Sequence, residues 1–127
     1  MKAMKNDRAD VKPDYSLIPK SFMDAVSYCM MSGIVKYARD NFRLGHTSNQ
    51  LTAAATRHLK CIESGEDVDL DTTTRLKDAT GGKSPDILHW ANVAACALMA
   101  IEQIRLDTHK DDRWFPTPHV KGDSDDV

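Results

Sequence analysis

Three polar features of this chain stand out as places where chemistry could be done. His89 and Asn92 are three residues apart in an otherwise apolar stretch, and Cys96 follows four later, so the three share one helix face. A histidine and an amide there must be hydrogen-bonded, which a core pair, a polar contact across a dimer interface or a bound ligand would each provide. Arg57 and His58 are neighbours on a second helical stretch; successive positions point about 100° apart, so one faces the core or a cleft and the other an adjoining element. The run Gly65-Glu66-Asp67-Val68-Asp69-Leu70-Asp71 places four carboxylates just after a helix. Glu66, Asp67 and Asp69 would suit a hard cation such as Mg²⁺, and the same spacing would also suit a solvated acidic loop. The run lacks the mid-loop glycine and closing glutamate of an EF-hand. Lys36-Tyr37, Asp40-Asn41 and Arg43 combine cations, an aromatic ring and an amide. They suit a phosphate with a stacked base, and equally the C-terminus of a helix, where the dipole favours cations.

The elements that must carry these residues read as helices throughout. Apolar residues recur at three- and four-residue intervals from Pro19 to about Arg39, through Phe22, Val26, Cys29, Met30, Ile34 and Tyr37. Gly33 interrupts that run at a cost of about 1 kcal/mol, and a close helix or ligand approach would explain it. Asp40 to His46 is a connection. Thr47 or Ser48 caps a second helix that runs to Ser64, with Leu51, Ala54, Ala55, His58, Cys61 and Ile62 on one side and Gly65 ending it. Glu66 to Gly82 reads as a loop with one helical turn around Thr74 to Asp78. Ser84-Pro85-Asp86 then has the composition of a helix start, followed by Ile87 to Asp107, apolar nearly all the way round. Such a helix must be covered on most sides, and a domain this small cannot surround it alone, so a homo-oligomer is expected. The reading is an all-α fold, a small bundle of three principal helices: a flexible arm over 1–11, one helical domain over 12–115 and a disordered tail over 116–127.

Composition narrows the function classes. With 127 residues the chain can bury a core without disulfides or a structural metal. A formal net charge of −2 provides no basic field for nucleic acid, and no stretch is apolar and long enough for a membrane. The charged first residues have no secretory h-region. Cys29, Cys61 and Cys96 are widely spaced inside apolar helical stretches and form no zinc pattern, which predicts free thiols and a cytoplasmic protein.

In order and spacing, these pieces resemble the phage-type dATP/dGTP diphosphohydrolase N-terminal family, relatives of the MazG-type all-α nucleotide pyrophosphohydrolases. The resemblance lies in Lys12-Pro13-Asp14 with Ser16-Leu17-Ile18-Pro19, Gly33-Ile34-Val35-Lys36-Tyr37 with Asn41 and Arg43-Leu44-Gly45, Arg57-His58-Leu59 followed by Gly65-Glu66-Asp67-Val68-Asp69, and His89 with Asn92 before Asp111-Asp112-Arg113. It implies an oligomeric, Mg²⁺-dependent phage enzyme that splits dATP or dGTP into monophosphate and pyrophosphate in the host cytoplasm. On that reading Glu66, Asp67, His58 and His89 are catalytic, and Glu66, Asp67 and Asp69 hold the metal. Lys36, Tyr37, Asn41, Arg57 and Asn92 bind the purine nucleotide. The paired EExxE and ExxD helices of the MazG type are missing from the chain. A second reading is therefore a non-catalytic phage protein that sequesters a nucleotide or nucleotide signal, or inhibits a host protein.

Overall fold

The computed structural model describes residues 12–116; the arm expected over 1–11 and all but the first residue of the expected tail lie outside the described residues. The fold is all-α, with four helices: α1 (Lys20–Lys36), α2 (Ser48–Glu63), α3 (Leu70–Thr80) and α4 (His89–Leu106), plus 3₁₀ turns at Tyr15–Leu17 and Asn41–Leu44. Among the described residues no helix is long and apolar enough to cross a membrane. α4 is the centre of the arrangement. It packs chiefly on α2 and also on α1, while α1 in turn packs on α3. The core is built from Cys29, Leu76, Ile87, Ala91 and Ala95, small enough on α4 to let its neighbours approach.

The caps of α2 follow from local sequence. Thr47 accepts from the Gln50 N–H at 3.1 Å and the Gln50 side chain accepts from the Thr47 N–H at 2.9 Å, a reciprocal capping box. A third acceptor comes from far along the chain, because Asp112 takes the Asn49 N–H at 2.8 Å. A carboxylate there also meets the positive end of the helix dipole. Asp14 likewise accepts from Ser16 in the first 3₁₀ turn. Part of the family-like signature is thus accounted for by capping.

The expected loop over Glu66 to Gly82 is largely a helix. Asp69 caps α3 by accepting from the Thr72 N–H at 3.2 Å, and Gly81 closes it in the left-handed conformation at φ 65°. Its buried face is Thr72, Thr73 and Leu76, so two of the three inward positions are threonines and the hydrophobic period is faint. Ser32, fully buried on α1, ties the two helices together by donating to the Thr72 carbonyl at 2.9 Å.

The last helix also begins differently from the expectation. Leu88 is its N-cap and no side chain caps it. The backbone does so instead, through an antiparallel bridge between Val68 and Leu88. The Asp69 N–H donates to the Ile87 carbonyl and the His89 N–H to the Asp67 carbonyl, both at 2.8 Å. Ser84 is buried and bonded to Thr80, so it serves the α3 end of the loop. α4 is not covered all round: Trp90, Ile101 and Ile104 are exposed. Gly33 is not a point of helix–helix approach either, since a Cβ there would meet nothing within 4 Å.

Gly45 is the glycine that the fold requires. It sits at φ 110°, and a Cβ would lie 2.0 Å from the Thr108 carbonyl oxygen. Gly45→Ala therefore combines a forbidden contact with a strained backbone, and is expected to destabilise the protein by about 3 kcal/mol or more. A fall in the thermal midpoint, followed by circular dichroism, checks this.

Candidate functional site

Among the described residues a cleft of about 840 Å³ opens between α1, the Asn41–Leu44 turn, α2, the start of α3 and α4. At its floor the ends of two helices meet the middle of a third. His89 is the first residue of α4, Asp69 is the N-cap of α3, and His58 lies on α2. The two imidazoles face each other with Nδ1 to Nδ1 at 2.9 Å. Asp69 Oδ2 lies 3.6 Å from His58 Nδ1 and 3.8 Å from His89 Nδ1.

Each of these groups is held. Asp69 is buried and accepts from the Thr72 hydroxyl at 2.7 Å and the Asn92 amide at 2.9 Å. Asn92 Oδ1 accepts in turn from the Cys29 thiol at 3.3 Å. On the other side of the His89 ring, Nε2 pairs with Glu66 Oε2 at 2.6 Å. Burial lowers the pKa of His58, with Asp69 opposing and His89 and Arg57 reinforcing the shift; the imidazole is therefore neutral near pH 7 and available as an acceptor or ligand.

The surroundings favour the protonated thiols over the thiolates. Burial, with Asp69 nearby, pushes Cys29 up to about 12, and burial raises Cys61 and Cys96 as well. All three are free cysteines.

The walls are cationic. Lys36, Arg39, Arg43, Arg57 and Arg75 line the cleft against three carboxylates, Asp40, Asp69 and Asp71, which favours an anionic ligand. Arg43 is engaged by Asp40 at 3.0 Å and by Glu102, whose carboxyl is held down to about 2 by Arg105 and Arg43. Lys36, Arg39, Arg57 and Arg75 form no ion pair among the described residues. Tyr37 is exposed at the rim with the Lys36 ammonium 5.2 Å from its ring centre, and Asn41 lines the same edge.

Of the residues singled out from sequence, the cleft brings together His58, His89, Asn92, Asp69, Arg57, Lys36, Tyr37 and Asn41. Glu66 touches the site from behind, through His89. Asp67 does not line the cleft: its side chain is exposed, and its carbonyl is the group that receives the His89 N–H. The sequence reading passed over Asp71 and Arg75. They line the cleft with Thr72 because α3 is a helix, which puts positions i, i+1 and i+4 on one side. The acidic run contained the signal for Asp71, but a loop assignment hides which carboxylate faces where.

Fold and cleft together define the class: an all-α domain whose cation-lined cleft has histidine, carboxylate and amide groups at its floor. The chain belongs to the family of dATP/dGTP diphosphohydrolase N-terminal domains, whose family model matches residues 2–113. No curated protein and no solved structure matches it. Membership suggests dependence on a divalent metal, and the described residues include two groups of His, Cys and acidic side chains close enough to hold an ion, His58–Asp69–His89 and Cys61–Glu66–His89.

Proposed function

We propose that the cleft binds the triphosphate of dATP or dGTP and that the chain splits it into the nucleoside monophosphate and pyrophosphate. The observation that carries this reading is the convergence of His58, His89, Asp69 and Asn92 beneath four cations that form no ion pair among the described residues, in a member of this family. Lys36, Arg39, Arg57 and Arg75 would take the phosphate charges and stabilise the pyrophosphate as it leaves. Tyr37 would stack on the purine and Asn41 would meet its edge. His58 would move a proton to or from water through Nε2, the nitrogen that does not face His89, and Glu66 would keep the His89 ring in register.

Mg²⁺ prefers oxygen ligands, whereas the convergent donors at the floor are two imidazole nitrogens and one carboxylate oxygen. Glu66, Asp67 and Asp69 do not come together as three ligands of one ion, and Mg²⁺ needs only one or two carboxylates when phosphate oxygens and water complete its shell. Mg²⁺ belongs here as the counter-ion that the nucleotide brings with it. Asp71 lines the cleft and is the carboxylate that would meet it.

The exposed Trp90, Ile101 and Ile104 on α4 support a homo-oligomer. A second reading, a nucleotide-sequestering phage protein, draws support from Asp69 and Glu66 being already committed to internal partners. Purified protein incubated with each Mg²⁺–deoxynucleoside triphosphate separates the two. The expected result is monophosphate and pyrophosphate in equal amounts from dATP or dGTP, and a loss of about 100-fold in kcat/KM for Arg57→Ala. Intact nucleotide recovered in stoichiometric complex would establish the second reading instead.

A further inference from the structure

We propose that His58, His89 and Asp69 form a protein-held site for a divalent first-row transition metal of the zinc or cobalt type, with Glu66 as its positioning residue. The site is distinct from the magnesium that accompanies a nucleotide. It rests on reading this cleft as the working site, but it concerns binding of the metal alone.

The geometry carries the case. The three donor atoms come from three elements and are 2.9, 3.6 and 3.8 Å apart. A triangle with those sides has one point about 2.0 Å from every corner, the length of a zinc–nitrogen or zinc–carboxylate bond. One cation would thus reach all three ligands with little movement of the side chains. Two imidazoles with one carboxylate is a donor set for borderline metals, not for Mg²⁺ or Ca²⁺.

The surroundings are those a metal-binding imidazole needs. Glu66 accepts from His89 Nε2 at 2.6 Å, which leaves Nδ1 unprotonated and its lone pair available to a metal. A carboxylate on the far nitrogen both fixes the tautomer and strengthens the ligand. Without metal, a single hydrogen bond from His58 Nδ1–H to His89 Nδ1 accounts for the 2.9 Å approach. The ligand carboxylate is fixed too, by Thr72 and Asn92. Three ligands from the protein and an opening to the cleft leave further positions for water or a phosphate oxygen. The competing group, Cys61–Glu66–His89, would spend Nε2 and break the Glu66 contact.

The test uses the metal-stripped full chain without nucleotide. Co²⁺ is expected to bind one to one, giving visible d–d bands without a thiolate-to-cobalt charge-transfer band. Zn²⁺ should displace it, and a large excess of Mg²⁺ should not. Glu66→Gln should weaken Zn²⁺ binding about 10–100-fold, His58→Gln by more, and Cys61→Ser not at all. Glu66 is largely exposed, so its variant keeps the test valid if His58→Gln does not fold. Mg²⁺ competing on equal terms, a thiolate band, loss of binding in Cys61→Ser, or unchanged binding in Glu66→Gln would each overturn the proposal. None of these results depends on whether pyrophosphate is released, and hydrolysis without Co²⁺ or Zn²⁺ binding would overturn this site while leaving the reaction in place.

Discussion

Asp69→Ala is expected to lower the unfolding free energy by about 2–4 kcal/mol and to abolish pyrophosphate release. The stability loss has two sources. The carboxylate accepts from the Thr72 N–H and so caps α3, and removing a capping side chain costs about 0.5–2 kcal/mol. It also accepts from the Thr72 hydroxyl and the Asn92 amide in a buried setting, and stranding such donors costs about 1–3 kcal/mol. Asp69→Asn separates folding from function. Asparagine still caps α3 through its one oxygen, but its amide nitrogen cannot accept from the Asn92 amide, so its stability should fall by about 1–3 kcal/mol while the fold is kept. The negative charge between the two imidazoles would nevertheless be gone, and activity should fall with it. Urea unfolding followed by circular dichroism, beside a pyrophosphate assay of the same preparations, measures both. An Asp69→Asn protein as active as the wild type would remove Asp69 from the proposed machinery.

The second large effect lies at the opposite end of α4, where Gln103 is fully buried. Its amide nitrogen donates to the Phe42 carbonyl and to His46 Nδ1, both at 2.7 Å. Its oxygen accepts from the His46 N–H at 2.9 Å and from His109 Nδ1 at 3.3 Å. Burial, with His109 and Lys110 nearby, lowers the pKa of His46, which keeps its ring an acceptor for this amide. One side chain thereby fastens the Asn41–Leu44 turn and the segment after α4 to the same helix. The turn carries Asn41, Phe42 and Arg43 into the cleft wall. Gln103→Ala strands two backbone groups and opens a void, and should cost about 3–5 kcal/mol. Hydrogen exchange should show the loss first at Phe42 to His46, where amide protection ought to fall toward that of an exposed loop. Uniform exchange across the whole chain would mean that Gln103 supports the bundle at large rather than this wall.

Helices α1 and α2 were legible in the sequence because each carries an apolar stripe at the helical period, α4 because it is a long apolar run, and a capping residue at Thr47 or Ser48 marked the start of α2. The residues able to do chemistry were legible for a related reason: His89 and Asn92 contradict their apolar surroundings, and a contradiction in burial is visible without coordinates. α3 was hidden, since it turns Thr72 and Thr73 inward and its cap is the same Asp69 that looked like part of an acidic loop. The first turn of α4 was hidden too, because its N-terminus is capped by backbone from Asp67 to Asp69 and not by the nearby Ser84. These are pairings between residues distant along the chain, and local propensity carries no information about them.

The sequence by itself thus determined the helical class, the family and the residues from which a site could be made. Only the tertiary structure decided which of them meet. It set Asp67 outside the cleft, turned Asp71 and Arg75 into it, placed Glu66 behind His89, and joined His58 to His89 across 31 positions. The physical reason is that a carboxylate or an imidazole acquires its chemistry from what lies within about 4 Å of it, and those distances are fixed by how α2, α3 and α4 pack.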